Sequence, residues 1–142
     1  IDQGSDAGLD IGTAAVVEGG HLIGLVSDLS AASAHIRLLS NEDSSVGVSL
    51  SSSQETIGLV EGEGGFLLHL NFVPQDIDLE PGALLLTSRT QERIPTGLVV
   101  GQIQDVTKEE TALFHEATVT PIVDANTYAY VVIILSAEEI EP

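Results

Sequence analysis

The chain has no cysteine, no methionine and no tryptophan, and only four of its 142 residues are lysine or arginine. Without cysteine there are no disulfides, no zinc-ribbon chemistry and no thiol catalysis, and the redox compartment stays open. The four cations (Arg37, Arg89, Arg93 and Lys108) face 22 acidic residues, for a net charge of −18. Phosphate backbones are bound by clustered Lys and Arg, so nucleic acid is excluded as a partner. Direct docking on an anionic membrane surface is disfavoured for the same reason. Charge of this size favours solubility and makes self-association depend on salt. Long apolar runs are also missing: the longest, Ala129 to Leu135, suits a buried strand and falls far short of the about 20 residues that span a bilayer. A start at Ile1 with no Met points to a processed chain or a segment of a longer polypeptide.

What is present is a normal apolar content, 43%, enough to bury a core. Helical periodicity is weak, and the best helix candidate is a single turn after Thr107 ("KEE"). Strand signals recur instead, as short alternating or β-branched runs bounded by Gly, Asp, Asn, Ser or Pro. They predict strands at Ala14–Val17, His21–Ser27, Ala34–Leu39, Val46–Leu50, Thr56–Val60, Phe66–Val73, Ala83–Thr87, Leu98–Val106, Leu113–Pro121 and Tyr128–Leu135. Strict alternation in the sixth would put Phe66, Leu68, Leu70 and Phe72 on one face and Leu67, His69, Asn71 and Val73 on the other. Many short strands with turns between them predict an all-β barrel or sandwich. A faint repeat points further: Ile11 to Asp28 ("IGTAAVV…GHLIGLVSD") resembles Pro81 to Asp105 ("PGALLLT…TGLVVGQIQD"). Two copies of one hairpin suggest two small packed β-barrels, although β hairpins also resemble one another by chance.

The candidate chemistry is sparse. His21, His35, His69 and His115 share no HxH or HExxH spacing, so neither a metal nor a catalytic role is assigned. A Ser-His-Asp set can be assembled on paper, but no serine sits in a GDSGG- or GxSxG-type turn, and Ser44, Ser45 and Ser51 to Ser53 read as loop serines. The acidic runs "NED", "EGEG", "KEE" and "AEEIE" read as solvated loops or tail. "DANTYAY" and "DIDLEPG" do not match a calcium loop. "EGEGG" and "VEGGH" lack the Lys and spacing of a phosphate loop and read as hairpin turns. No catalytic, cofactor-binding or metal-binding residue is therefore named, and no cofactor is expected.

The glycines and prolines are more informative. "IDQGSDAGLDIG" (Ile1 to Gly12), "IRLLSNEDSSVGVSL" (Ile36 to Leu50), "IGLVEGEGGFLLHLNFVPQDIDLEPGA" (Ile57 to Ala83) and "TSRTQERIPTGLVVGQI" (Thr87 to Ile103) follow in order, with similar spacing, four blocks of the extracytoplasmic β domain of the MreC family of rod shape-determining proteins. The chain resembles that family over nearly its whole length. It departs at Arg89 to Arg93 ("RTQER"), which replaces the family's glycines after "TS", at Thr96, where Lys is frequent, and in its acidity.

The resemblance implies a non-enzymatic scaffold domain outside the cytoplasmic membrane. It would be tethered only through an N-terminal anchor and coiled coil that precede this chain. It implies self-association as a dimer or filament, and binding to the peptidoglycan elongation machinery: a penicillin-binding transpeptidase, its glycosyltransferase partner and the membrane protein MreD. The expected organisation is two barrels, residues 1–72 and 73–142, with the N-terminal strand as a possible member of the second. In "RIPTGLVVGQI", Pro95 fixes φ, Gly97 permits positive φ, and Gly101 marks a bulge or a close strand approach, so the motif shapes a barrel edge. The candidate contacts are apolar strand edges: Leu98, Val99 and Val100, and Tyr128, Tyr130 and Val132 within Tyr128 to Leu135. Two rivals stay open, a small-ligand-binding β-barrel module and a serine hydrolase on a double β-barrel.

Overall fold

The structure is a computed structural model that describes residues 1–2, 4–17, 19–50, 55–65, 67–88, 94–108, 112–121 and 132–134. The chain is all-β apart from one 3-10 turn at Ser5–Ala7. In chain order the strands are β1 (Ala14–Val17), β2 (His21–Leu29), β3 (Ala34–Leu38), β4 (Ser45–Leu50), β5 (Gly58–Gly62), β6 (Leu68–Pro74), β7 (Leu84–Thr87), β8 (Val99–Thr107), β9 (Phe114–Thr120) and β10 (Val132–Ile134). The turn expected after Thr107 does not begin at Lys108, and Glu109 and Glu110 lie outside the described residues.

Six strands close on themselves in the order β8-β7-β4-β5-β6-β9, with β9 pairing back to β8. Alternation fills the ring: Val46, Val48, Val60, Leu68, Leu70, Leu85, Ile103 and Val119 are all at most 2% exposed. Each such side chain withdrawn from water contributes about 1.5–3 kcal/mol. The other strands form a sheet, β10-β1-β2 with β3 on β2's far side, joined to the ring where His21 pairs with Val99. Ala14, Val16, Leu22 and Leu39 of this part belong to the same buried cluster as the ring interior. A division at 72/73 passes through β6, because β4, β5 and β6 are ring members beside β7 to β9.

The two resembling segments carry matching backbone bonds. Gly12 donates to the Val26 carbonyl (2.8 Å) and Gly82 to that of Ile103 (2.8 Å); Val26 donates to Thr13 (2.9 Å) and Ile103 to Ala83 (2.9 Å). The turns before them also correspond, Gly8 to Ser5 with Ile77 to Pro74, and Thr13 to Asp10 with Ala83 to Glu80. The register slips between Ala15 and Val16 in one hairpin and between Leu85 and Leu86 in the other. It slips again between Val26 and Asp28 against β3, and between Ile103 and Asp105 against β9. Opposite the first slips lie Gly24 and Gly101. A Cβ on Gly24 would sit 2.3 Å from the Arg37 carbonyl oxygen, and one on Gly101 would sit 2.7 Å from Val119 Cγ1 and 2.9 Å from the Thr120 oxygen. Both glycines therefore let a neighbouring strand come closer than any side chain allows. The repeated unit is three strands, β1-β2-β3 and β7-β8-β9.

One expected face is corrected. Leu68, Leu70 and Val73 point inward, at 0% exposure each, while Phe72 points out. The register against β9 slips between Leu70 and Val73, and Phe72 takes φ 65°, the left-handed region. The extra residue of a bulge shifts the alternation by one, so Val73 replaces Phe72 inside. Phe66, the first member of that face, lies outside the described residues.

Candidate interaction surface

Among the described residues, the bulge makes the most exposed apolar feature on the ring. Phe72 is 55% exposed and meets Phe114 of β9 edge to face, with ring centroids 5.9 Å apart at 82°. Leu113, beside it, is 81% exposed. The approach to β9 is fastened from β6's end, where Gln75 Nε2 donates to the Ala112 carbonyl (2.7 Å). Beneath the patch, His115 is 2% exposed and its Nε2 lies 2.9 Å from the Gln75 carbonyl. A carbonyl only accepts, so Nε2 carries the proton. An aromatic residue held at positive φ is uncommon and costs of order 1–3 kcal/mol, and such strained positions cluster at functional sites.

Carboxylates rim the patch. His69 Nδ1 lies 3.0 Å from Glu63 Oε1, and its Nε2 lies 3.5 Å from Glu116 Oε2. Only the doubly protonated ring donates to both. On β5, Glu61 Oε1 accepts from Asn71 Nδ2 at 2.8 Å. Because the two carboxylates address opposite ring nitrogens, they cannot share one ion with His69. Among the described residues no cluster of three His, Asp or Glu could hold a metal. Two buried serines have their hydroxyls engaged: Ser44 Oγ donates to the Leu38 carbonyl (2.7 Å), and Ser88 Oγ accepts from Thr56 (2.7 Å).

The pinned stretch from Ile94 to Ile103 has a different use. Thr87, fully buried, clamps it: its Oγ1 donates to the Pro95 carbonyl (2.5 Å) and accepts from Leu98 N–H (2.9 Å), while its own backbone bonds Leu98 (2.8 Å) and Gly97 (3.0 Å). Gly97 has φ 95°, which a residue with a Cβ adopts only under strain. Of the contact candidates here, Val100 is corrected to a core residue, 3% exposed, because β8 turns it into the ring. Leu98 is half-buried and packs on the same core, and Val99 is half-buried. Tyr128 and Tyr130 lie outside the described residues, and Val132 pairs with Val16 at the β10 end of the sheet.

Sequence reasoning passed over Phe72, Leu113 and Phe114. The available signal was Pro74: a proline inside a paired strand is confined to edges and bulges, so "NFVP" announces a break in alternation two residues after Leu70.

Comparison with known proteins is consistent with this architecture. The family described as rod shape-determining protein MreC, barrel core, matches residues 1–135. The cell shape-determining protein MreC of Listeria monocytogenes is 27% identical over 98% of this chain, and the chain spans about half of that protein's length, 48%. The crystal structure of MreC from Pseudomonas aeruginosa has a TM-score of 0.84 at 24% identity, covering 94% of this chain and 86% of that one. The same fold is found in the major periplasmic domain of the cell shape-determining filament MreC, with a TM-score of 0.72 at 24% identity over 87% of this chain and 76% of that one. It is found again in a complex between a penicillin-binding protein (PBP2) and MreC from Helicobacter pylori, with a TM-score of 0.66 at 17% identity over 84% of this chain and 74% of that one. An all-β ring with a three-strand unit used twice, matched from its first residue to residue 135, places the chain in the MreC family of rod shape-determining proteins.

Proposed function

We propose that this domain is a scaffold outside the cytoplasmic membrane that self-associates and binds a penicillin-binding transpeptidase of the peptidoglycan elongation machinery. It would be tethered through an anchor preceding Ile1. The observation that carries the reading is the family match over residues 1–135. A ring filled with aliphatic side chains suits a scaffold better than a ligand-binding barrel, which needs an enclosed cavity. The Phe72–Phe114 pair with Leu113 is the proposed transpeptidase contact, because aromatic anchors in the centre of a patch supply most of the energy of an interface. A relative of the fold solved as a complex with PBP2 supports the choice of partner class. The edge of β10 near Val132, the end of the sheet order among the described residues, together with Val99, is the proposed self-association surface.

The test is binding of the chain to the ectodomain of the elongation transpeptidase from the same organism, read by interferometry, with sedimentation of the chain alone. Saturable binding that Phe72→Asn and Phe114→Ser weaken at least tenfold is the expected result. No binding at about 100 μM, with a monomer at every concentration, would overturn the reading.

A further inference from the structure

Charge of one sign surrounds the apolar patch on the ring. The register sets Glu61 of β5 beside His69 of β6, His69 beside Thr118 of β9, and Thr118 beside Asp105 of β8. Residues directly opposite one another share a face of a sheet, so these four form one outward row. Along β9 the alternation puts Phe114 and Glu116 on that same face, with His115 and Ala117 turned inward. Phe72, turned outward by the bulge, joins it against Phe114. Beyond the other end of the patch, Asp76 is exposed on the turn after β6, next to the Gln75 that bonds Ala112.

Five carboxylates, those of Glu61, Glu63, Asp76, Asp105 and Glu116, therefore border three exposed apolar side chains. Among the described residues no lysine or arginine pairs with any of the five, and one imidazole, that of His69, addresses two of them. Glu63 and Glu116 keep 51% and 55% of their side-chain surface in water. Arg37 is on β3, outside the ring, and Lys108 follows the end of β8. Two copies joined patch to patch about a twofold axis would set each rim against its own image. Like charges brought together in that way oppose the contact, so a second copy of this chain is the wrong occupant.

We propose that the patch selects its partner by charge: it takes a surface of a different protein in which an apolar pocket for Phe72, Phe114 and Leu113 is ringed by arginine and lysine, and it refuses a second copy of this chain. Arginine suits the site twice, because its guanidinium forks onto carboxylates and stacks on aromatic rings. The inference rests on the transpeptidase reading and adds the chemistry that the transpeptidase must present. The division of labour is set by position. The apolar centre supplies the lasting contact, while the exposed rim guides the encounter and fixes its orientation. Carboxylates elsewhere on the chain add to the overall field, but salt screens them from the contact.

The test follows association and dissociation rates of the chain with the transpeptidase ectodomain from about 50 to about 500 mM NaCl. The association rate should fall at least about tenfold over that range, with the dissociation rate changing less than about threefold. At about 150 mM salt, where charges more than about 8 Å from the contact are largely screened, Glu63→Gln with Glu116→Gln should slow association at least about threefold. Asp6→Asn with Asp28→Asn removes the same charge at exposed positions outside the ring and should change it less than about 1.5-fold. Binding whose association rate ignores salt, or equal effects of the two variant pairs, would overturn the proposal and leave the transpeptidase reading standing. No binding at any salt concentration would overturn both. Self-association of the parent chain at low salt that Phe72→Asn abolishes would also overturn the proposal, by assigning the patch to a second copy.

Discussion

In β7-β8-β9 the three-strand unit is closed by β4, β5 and β6, whereas among the described residues β1-β2-β3 forms a sheet flanked by β10. The hydrogen-bonded turns, the register slips and the close-approach glycines correspond in the two units. The loops between their first two strands do not. β1 reaches β2 through the short turn before His21, where Gly20 N–H bonds the Val17 carbonyl (3.1 Å). β7 reaches β8 through the longer segment from Ser88 to Leu98, and Thr87 stands where the first unit has Val17. A longer loop leaves more backbone groups to satisfy, and the buried threonine supplies both a donor and an acceptor for them. The comparison separates what the unit needs to fold, its bulges and glycines, from what each site adds.

The sharpest way to break the correspondence is at the two close-approach glycines. Gly101→Ala should cost about 3 kcal/mol and Gly24→Ala about 2 kcal/mol in urea unfolding. The contact at Gly24 is the tighter, but β3 can retreat from a neighbour on one side, while β9 is held in the ring by both β6 and β8. Equal or inverted losses would show that closure does not stiffen the unit. Thr87→Val makes the second unit resemble the first at this position. It leaves Leu98 N–H and the Pro95 carbonyl without their partner and should cost about 2 kcal/mol. A thermal melt unchanged from the parent would refute the clamp. Phe72→Asn keeps a residue that tolerates positive φ and removes the aromatic surface. Transpeptidase binding should fall at least tenfold, with stability within about 0.5 kcal/mol; an equal loss of stability would make Phe72 a fold residue. His69→Gln, which keeps one donor for the exposed carboxylates of Glu63 or Glu116, should change stability by less than about 0.5 kcal/mol.

Strand existence was legible because short apolar runs and glycine punctuation are local signals: β1 starts and ends where its apolar run does, at Ala14 and Val17. The repeat was legible for the same reason, since Gly12 with Gly24 and Gly82 with Gly101 bracket their hairpins. Ring closure was not. It depends on β4 pairing with β7 and β6 with β9, contacts between distant segments that leave no pattern within either strand. The candidate surface was hidden by one bulge. Strict alternation assigns Phe72 to the interior with Leu70, and a single extra residue reverses it. Thr87 reads as the polar end of an apolar strand, and its role appears only once Pro95 and Leu98 are brought back beside it.

The buried cluster that runs without interruption from the ring into Ala14, Val16, Leu22 and Leu39 has a thermodynamic consequence. Two lobes with separate interiors melt independently, each with its own midpoint. Here opening either half exposes the shared part of that cluster to water. Unfolding should therefore be all-or-none, with calorimetric and van't Hoff enthalpies in agreement. A defect placed in the ring, such as Gly101→Ala, should lower the midpoint seen by probes in β1 and β2 as much as by probes in β8, so damage on one side of the domain is felt as loss of the whole.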